Sequence, residues 1–169
     1  MNIVLIGYRG TGKSAVGQIL AERLNRECVS MDARIVEKAG APIPQIVEQR
    51  GWPGFRDIET EVAQELAAQD NLIIDAGGGV IERPENIEAL RNNGAIIWLQ
   101  ASVATIVSRI EADTQRPSLT GAKSFTDEVT EVLERRTPLY QAAAQYTVDT
   151  DALTPEQVAE KATGILDGA

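Results

Sequence analysis

The sequence predicts an α/β fold of three layers, a doubly wound sheet of five parallel strands between two sets of helices. Three observations carry that prediction. Short apolar runs alternate with stretches of helical period along the whole chain. The runs are continuously apolar rather than alternating, as in strands covered on both faces. Two glycine clusters, one around Gly7 to Gly12 and one at Gly77 to Gly79, directly follow such runs, and ligands of parallel sheets bind beyond the strand ends. With 169 residues, 43% of them hydrophobic, the chain supports one sizeable core, so a single domain over 1–169 is expected.

Asn2 to Ile6 reads as a buried strand, and Lys13 to Leu24 as a helix with Val16, Ile19, Leu20 and Leu24 at helical spacing. Val29 centres a second strand. Asp32 is placed to cap a helix over Ala33 to Ala39 that Gly40 ends, and Pro42 and Pro44 bracket the next helix start. Phe55 to Gln69, with Ile58, Val62 and Leu66 on one face, is helical, and Leu72 to Ile74 is a third strand ending at Asp75. Pro84 opens a helix through Leu90 that Gly94 is expected to terminate, ahead of a fourth strand at Ala95 to Leu99. Val103 to Ile110 is helical. The polar stretch 112–124, with Arg116, Pro117 and Gly121, follows neither period and reads as a loop able to act as a lid. Thr126 to Tyr140 is helical apart from Pro138, Tyr146 to Val148 is the fifth strand, and Pro155 to Leu166 the closing helix.

A net charge of −9 argues against nucleic acid as a partner, since that binding needs a basic surface. No apolar run approaches the roughly 18 residues of a membrane span, and MNIVLIG lacks a basic n-region, so a soluble, cytoplasmic protein with no membrane partner is expected. Cys28 is the single cysteine and there is no histidine. Catalysis must therefore rest on carboxylates, lysine, arginine, hydroxyls and backbone amides.

Gly7-Tyr8-Arg9-Gly10-Thr11-Gly12-Lys13-Ser14 matches the P-loop pattern, with a strand before it and a helix after it. In that pattern successive N–H groups and the positive end of the helix converge on phosphate. Gly10, Thr11, Gly12, Lys13, Ser14 and Ala15 are the expected ATP-binding stretch, Lys13 reaching the β- and γ-phosphates and the Ser14 hydroxyl coordinating Mg²⁺. The bland alternative is a glycine-rich turn with no ligand.

That loop, together with Phe55-Arg56-Asp57-Ile58-Glu59, Gly77-Gly78-Gly79, Arg116-Pro117 and Arg136-Thr137-Pro138-Leu139-Tyr140, resembles shikimate kinases from end to end. The resemblance implies the five-stranded core of nucleoside monophosphate kinases, with a helical substrate-binding region over about 32–60 and a lid over about 112–124. It also implies transfer of the γ-phosphoryl group of MgATP to the 3-hydroxyl of shikimate by a monomer. Arg56 and Arg136 would grip the substrate carboxylate, a task that suits the planar guanidinium. Asp32 would hold ring hydroxyls and accept the proton of the attacking one, while Gly77, Gly78 and Gly79 would admit the substrate close to the backbone. Lys13 and Arg116 join Asp32 as catalytic residues, Arg116 bridging nucleotide and substrate, and Arg109 would pack on adenine. Trp52 either walls the substrate pocket or fills core.

Two departures from the family stand out. Where shikimate kinases usually carry Asp-x-Asp, this chain has Ser30-Met31-Asp32, keeping the substrate aspartate and losing the metal-side one. Asp75 ends the third strand where the family often has a small hydroxyl residue, so the carboxylate serving Mg²⁺ is expected to have moved there, unless Asp75 only caps a turn or pairs with an arginine. The other departure is Asp149-Thr150-Asp151-Ala152-Leu153-Thr154 after the fifth strand, which offers adenine no basic residue. Two rivals stay open on the residues alone: another small-molecule kinase of this fold, such as a gluconate kinase, and a non-catalytic nucleotide-sensing module.

Overall fold

A computed structural model describes residues 1–111 and 125–168. The expected lid over 112–124, and Arg116 within it, lie outside the described residues. In chain order the elements are β1 (Asn2–Ile6), α1 (Lys13–Leu24), β2 (Glu27–Ser30), α2 (Met31–Ala39), α3 (Ile43–Ala67), β3 (Leu72–Asp75), α4 (Pro84–Asn92), β4 (Gly94–Gln100), α5 (Val103–Glu111), α6 (Phe125–Ala143), β5 (Tyr146–Asp149) and α7 (Pro155–Asp167). Among the described residues the five strands form one sheet in the order β2-β3-β1-β4-β5, every neighbouring pair parallel. The predicted fold class is the observed one.

Alternation along each strand divides the core in two. Val4, Ile6, Ile74, Ile96 and Trp98 face one layer, packed against α2, α3, α4 and the end of α6. Ile3, Leu5, Ile73, Ile97 and Leu99 face the other, packed against α1 and α7. A smaller cluster joins Tyr8 to Ile106 and Ile110 of α5 and to Val129 and Val132 of α6. Truncating a fully buried side chain such as Ile74 to alanine costs roughly 2–5 kcal/mol, so either layer alone is worth a large fraction of a domain's stability.

The register is pinned by one buried amide. Asn2 donates through Nδ2 to the carbonyls of Leu66 and Gln69 and accepts at Oδ1 from the Leu72 amide, tying the start of β1 to the connection that leads into β3. Leu5 and Ser30 then both pair with Asp75, which sets that carboxylate at the mouth of the sheet.

Three boundaries differ from expectation, each for a local reason. Asp32 does not cap α2: the helix begins at Met31, and the Ser30 hydroxyl accepts from the Ala33 amide, leaving Asp32 in the first turn. Gly94 does not end α4; Asn93 is its last flanking residue, and Gly94 opens β4, where a side chain would meet the Leu90 carbonyl at 2.5 Å. The helix expected from Phe55 is the second half of α3, which starts at Ile43 and is interrupted where Gly51 takes φ 68° and ψ 176°. Among the described residues no helix is long and apolar enough to cross a membrane.

Candidate active site

Two pockets open side by side at the carboxyl end of the sheet. The first, of about 380 Å³, is walled by Gly10, Gly12, Lys13, Ser14 and Ala15 on one side and by Ser30, Asp75 and Arg109 on others. Gly10 and Gly12 hold φ of 84° and 91°, the left-handed conformation that lets the loop curl around a ligand and that a side chain would strain. Gly12 is followed directly by α1, so the helix N-terminus faces the pocket. The Lys13 ammonium donates to the carbonyls of Gly7 (2.7 Å) and Tyr8 (3.1 Å). Thr11 is turned away: its hydroxyl donates to the Tyr8 carbonyl at 2.9 Å and the side chain is buried behind the loop, so its part is to hold the turn.

Ser14 and Asp75 meet across this pocket, the hydroxyl donating to the carboxylate at 2.6 Å. Ser30 is register partner to Asp75 on the adjacent strand, so the two ends singled out in the sequence are neighbours, but the Ser30 hydroxyl is engaged in capping α2. A hydroxyl and a carboxylate are hard oxygen donors suited to Mg²⁺. On the far side Arg109 donates to the Gly10 carbonyl at 3.1 Å and to the Thr150 side chain and carbonyl, each at 3.4 Å. The segment after β5 thus braces Arg109 through buried Thr150, while Asp151 is spent on the Ser102 amide.

The second pocket, of about 300 Å³, brings together Asp32, Arg56, Arg136, Trp52 and all three glycines of the 77–79 cluster. These residues come from α2, the part of α3 that follows its break at Gly51, the turn after β3, and α6. Trp52 does both jobs weighed for it, lining the pocket and packing edge-on against buried Phe55 at 5.7 Å. Three arginines (9, 56 and 136) face two carboxylates (Asp32 and Glu59), so this cleft is locally cationic in an acidic chain. Arg136 is 4% exposed, lies 5.8 Å over the Tyr8 ring and 3.9 Å from Glu82, and keeps a buried Nε without a hydrogen-bond partner.

None of the three glycines of the triplet has positive φ, so backbone conformation does not account for them. A side chain on Gly77 would come within 2.9 Å of Asp32 Oδ1 and one on Gly79 within 2.3 Å of the Arg56 guanidinium, while one on Gly78 would make only ordinary contacts, at 3.4 Å with the Arg9 amide and 3.5 Å with Arg136. Gly77 and Gly79 thus make room for two of the side chains that the sequence assigned to substrate.

Two residues escaped assignment from sequence. Glu59 is buried, accepts from Arg56 at 2.9 Å one helical turn earlier, and has an unpartnered Oε2. Burial pushes its carboxyl above the usual range, against the lowering effect of Arg56. The i, i+3 spacing with Arg56 was the available signal. Arg9 lines both pockets, as do Asp32, Gly77 and Gly78, and approaches buried Glu128 at 3.8 Å. Its position inside the P-loop pattern, where the residue type is free, hid it. An anion-binding pocket and a phosphate cradle with four residues in common can hold a donor and an acceptor in contact.

The family model described as "Shikimate kinase" matches residues 9–167. A curated relative named shikimate kinase 2, from Enterobacter sp. (strain 638), is 45% identical over 159 residues, covering 92% of this chain and 90% of its own. A shikimate kinase from Caldicellulosiruptor bescii is 37% identical over 164 residues, 97% of this chain and 94% of the relative. Among solved structures, a shikimate kinase from Acinetobacter baumannii in complex with shikimate superposes with a TM-score of 0.93 at 36% identity, covering 99% of this chain and 93% of that one.

Proposed function

The chain belongs to the shikimate kinase family, and from that premise we propose that it transfers the γ-phosphoryl group of ATP to the 3-hydroxyl of shikimate, giving shikimate 3-phosphate and ADP. The observation that carries this reading is the wall shared by the two pockets: Arg9, Asp32, Gly77 and Gly78 border both, so an acceptor held by Arg56 and Arg136 meets a nucleotide held by the P-loop. A paired-arginine cleft suits a carboxylated acceptor, the family match favours shikimate over gluconate among such acids, and Lys13 and Asp32 in the pocket walls support a kinase over a mere nucleotide sensor.

In this reading Arg56 and Arg136 bind the carboxylate and so orient the ring with its 3-hydroxyl toward the shared wall. Asp32, on that wall, takes the hydroxyl proton as the oxygen bonds to the γ-phosphorus and the bond to the bridging oxygen of ADP breaks. Lys13 leaves the carbonyls of Gly7 and Tyr8 for the phosphates and, with the loop amides, stabilises charge on the transferred group. Arg116, outside the described residues, is assigned by resemblance to bridging donor and acceptor. Arg109 borders the nucleotide side, and with no basic residue after β5 the base is held there by Arg109, which Thr150 braces from behind.

Mg²⁺, when bound, would neutralise phosphate charge. The residues fit it: the Ser14 hydroxyl would ligate, and Asp75, which already accepts from that hydroxyl, would hold it and a metal-bound water in place. This assigns to β3 the carboxylate that the family usually has at the end of β2. The protein acts in this proposal as a cytoplasmic monomer, one domain with a helical substrate region over about 32–60 and a lid over about 112–124.

A coupled ADP-release assay across shikimate, gluconate and nucleoside monophosphates tests the reading. Turnover with shikimate alone is expected; silence with shikimate and turnover with another acceptor would overturn it.

A further inference from the structure

The sequence motif that begins at Arg136 ends at Tyr140, which lines neither pocket. The residue is fully buried, stacks on Trp98 at 5.7 Å, and sits in the core layer beneath the second glycine cluster rather than in the wall of either pocket. Its hydroxyl nonetheless has a definite task, donating to the carbonyl of Gly78. The neighbouring carbonyls are held as well, Gly77 by the Val80 amide at 3.1 Å and Gly79 by the Glu82 amide at 3.0 Å.

A trans peptide is planar, with its C=O and N–H on opposite sides, so fixing a carbonyl fixes the direction of the next amide. Drawing the Gly78 carbonyl inward to Tyr140 turns the Gly79 N–H outward, to the side where Gly79 borders the acceptor pocket. There it lies beside Arg56, whose guanidinium leaves no room for a side chain on Gly79. Drawing the Gly77 carbonyl to Val80 does the same for the Gly78 amide. An N–H turned to the pocket side next to a guanidinium offers two donors to one anionic or hydroxyl oxygen.

We infer that Tyr140 is a positioning residue of the acceptor site: by holding the Gly78 carbonyl, its hydroxyl presents the Gly79 N–H, with Arg56, to an oxygen of the acceptor. Burial raises the Tyr140 hydroxyl above its ordinary range, so it remains a donor throughout the neutral and mildly alkaline range. The inference rests on reading this cleft as the acceptor site.

Tyr140→Phe removes the hydroxyl and keeps the ring on Trp98. The expected result is a KM for shikimate raised about five- to tenfold with KM for ATP unchanged, and a thermal midpoint lowered by roughly a few degrees, as for one internal hydrogen bond lost. In ligand-free protein the Gly79 amide resonance should move and its solvent exchange change relative to wild type. Because Tyr140 also interacts with Arg136, an unmoved Gly79 amide overturns the inference whatever the shikimate KM does, and a parallel rise of both KM values overturns it as a general structural role. Wild-type turnover of shikimate, measured alongside, tests the family reading separately, because the ligand-free amide signal does not depend on the acceptor.

Discussion

The two pockets are built by opposite means. The phosphate pocket is built on a stretch of continuous backbone, Gly10 to Ala15, with a helix start behind it and two carboxylates, Asp32 and Asp75, in its other walls. The acceptor pocket is assembled from side chains delivered by α2, α3, the turn after β3 and α6, held by ion pairs that the ligand must join or displace. A cradle of amides accepts any phosphate of the right shape, whereas a constellation of side chains fixes which molecule stands next to it. Chemistry common to many enzymes therefore sits in the first pocket and selectivity in the second, and substitutions should separate the two.

The sharpest separation is expected from Arg136→Met. Removing the buried cation that is proposed to bind the substrate carboxylate should lower kcat/KM for shikimate by about 10³-fold, while nucleotide affinity by calorimetry stays within about twofold of wild type. A comparable loss of nucleotide affinity would break the comparison. Gly79→Ala comes next. A methyl 2.3 Å from the Arg56 guanidinium must displace it, and a displacement on the order of 1 Å should cost roughly 10²-fold in kcat/KM with the nucleotide side again intact.

Asp75→Ala tests the other pocket. The concentration of Mg²⁺ giving half-maximal nucleotide binding should rise about tenfold, and Ser30→Asp in that background should restore it. An unchanged Mg²⁺ requirement removes Asp75 from the metal shell. The smallest effect concerns stability. Burial raises the Glu59 carboxyl above its unfolded value, opposed by Arg56 and Arg136 and reinforced by Asp32. The folded state therefore holds that proton more tightly, and the contribution is present at low pH and lost as pH rises through the folded value. Glu59→Gln, fixed in the neutral form, should gain thermal stability over wild type at pH 7 to 8 and lose that advantage as pH falls toward the ordinary carboxylate range. A difference in melting temperature that does not vary with pH would contradict it.

The same contrast explains what the sequence could and could not say. Strands such as Asn2–Ile6 and the P-loop were legible because each is a local pattern: a continuous apolar run, then glycines at fixed spacing. Arg56, Arg136 and Asp32 were legible only through their joint resemblance to a family, since no local rule brings residues 32, 56 and 136 together. Ser30 and Asp32 compete for one helix start, and the polar residue nearest the turn wins it; composition cannot rank two caps two positions apart. Gly94 reads as a stop signal by type, yet it serves a close approach between α4 and β4 that exists only after folding. Arg9, Glu59 and Tyr140 became visible only when pocket walls and carbonyl partners did.

The cap on α2 also bears on how such sites change over evolutionary time. Serine and aspartate serve almost equally at a helix N-cap, so position 30 can exchange one for the other with the helix undisturbed. The neighbouring strand end, in register with it, can carry the acid instead. With Asp75 serving the metal as proposed, a chain with carboxylates at both ends is the halfway point, and two single substitutions move the acid between strands without a step that lacks it.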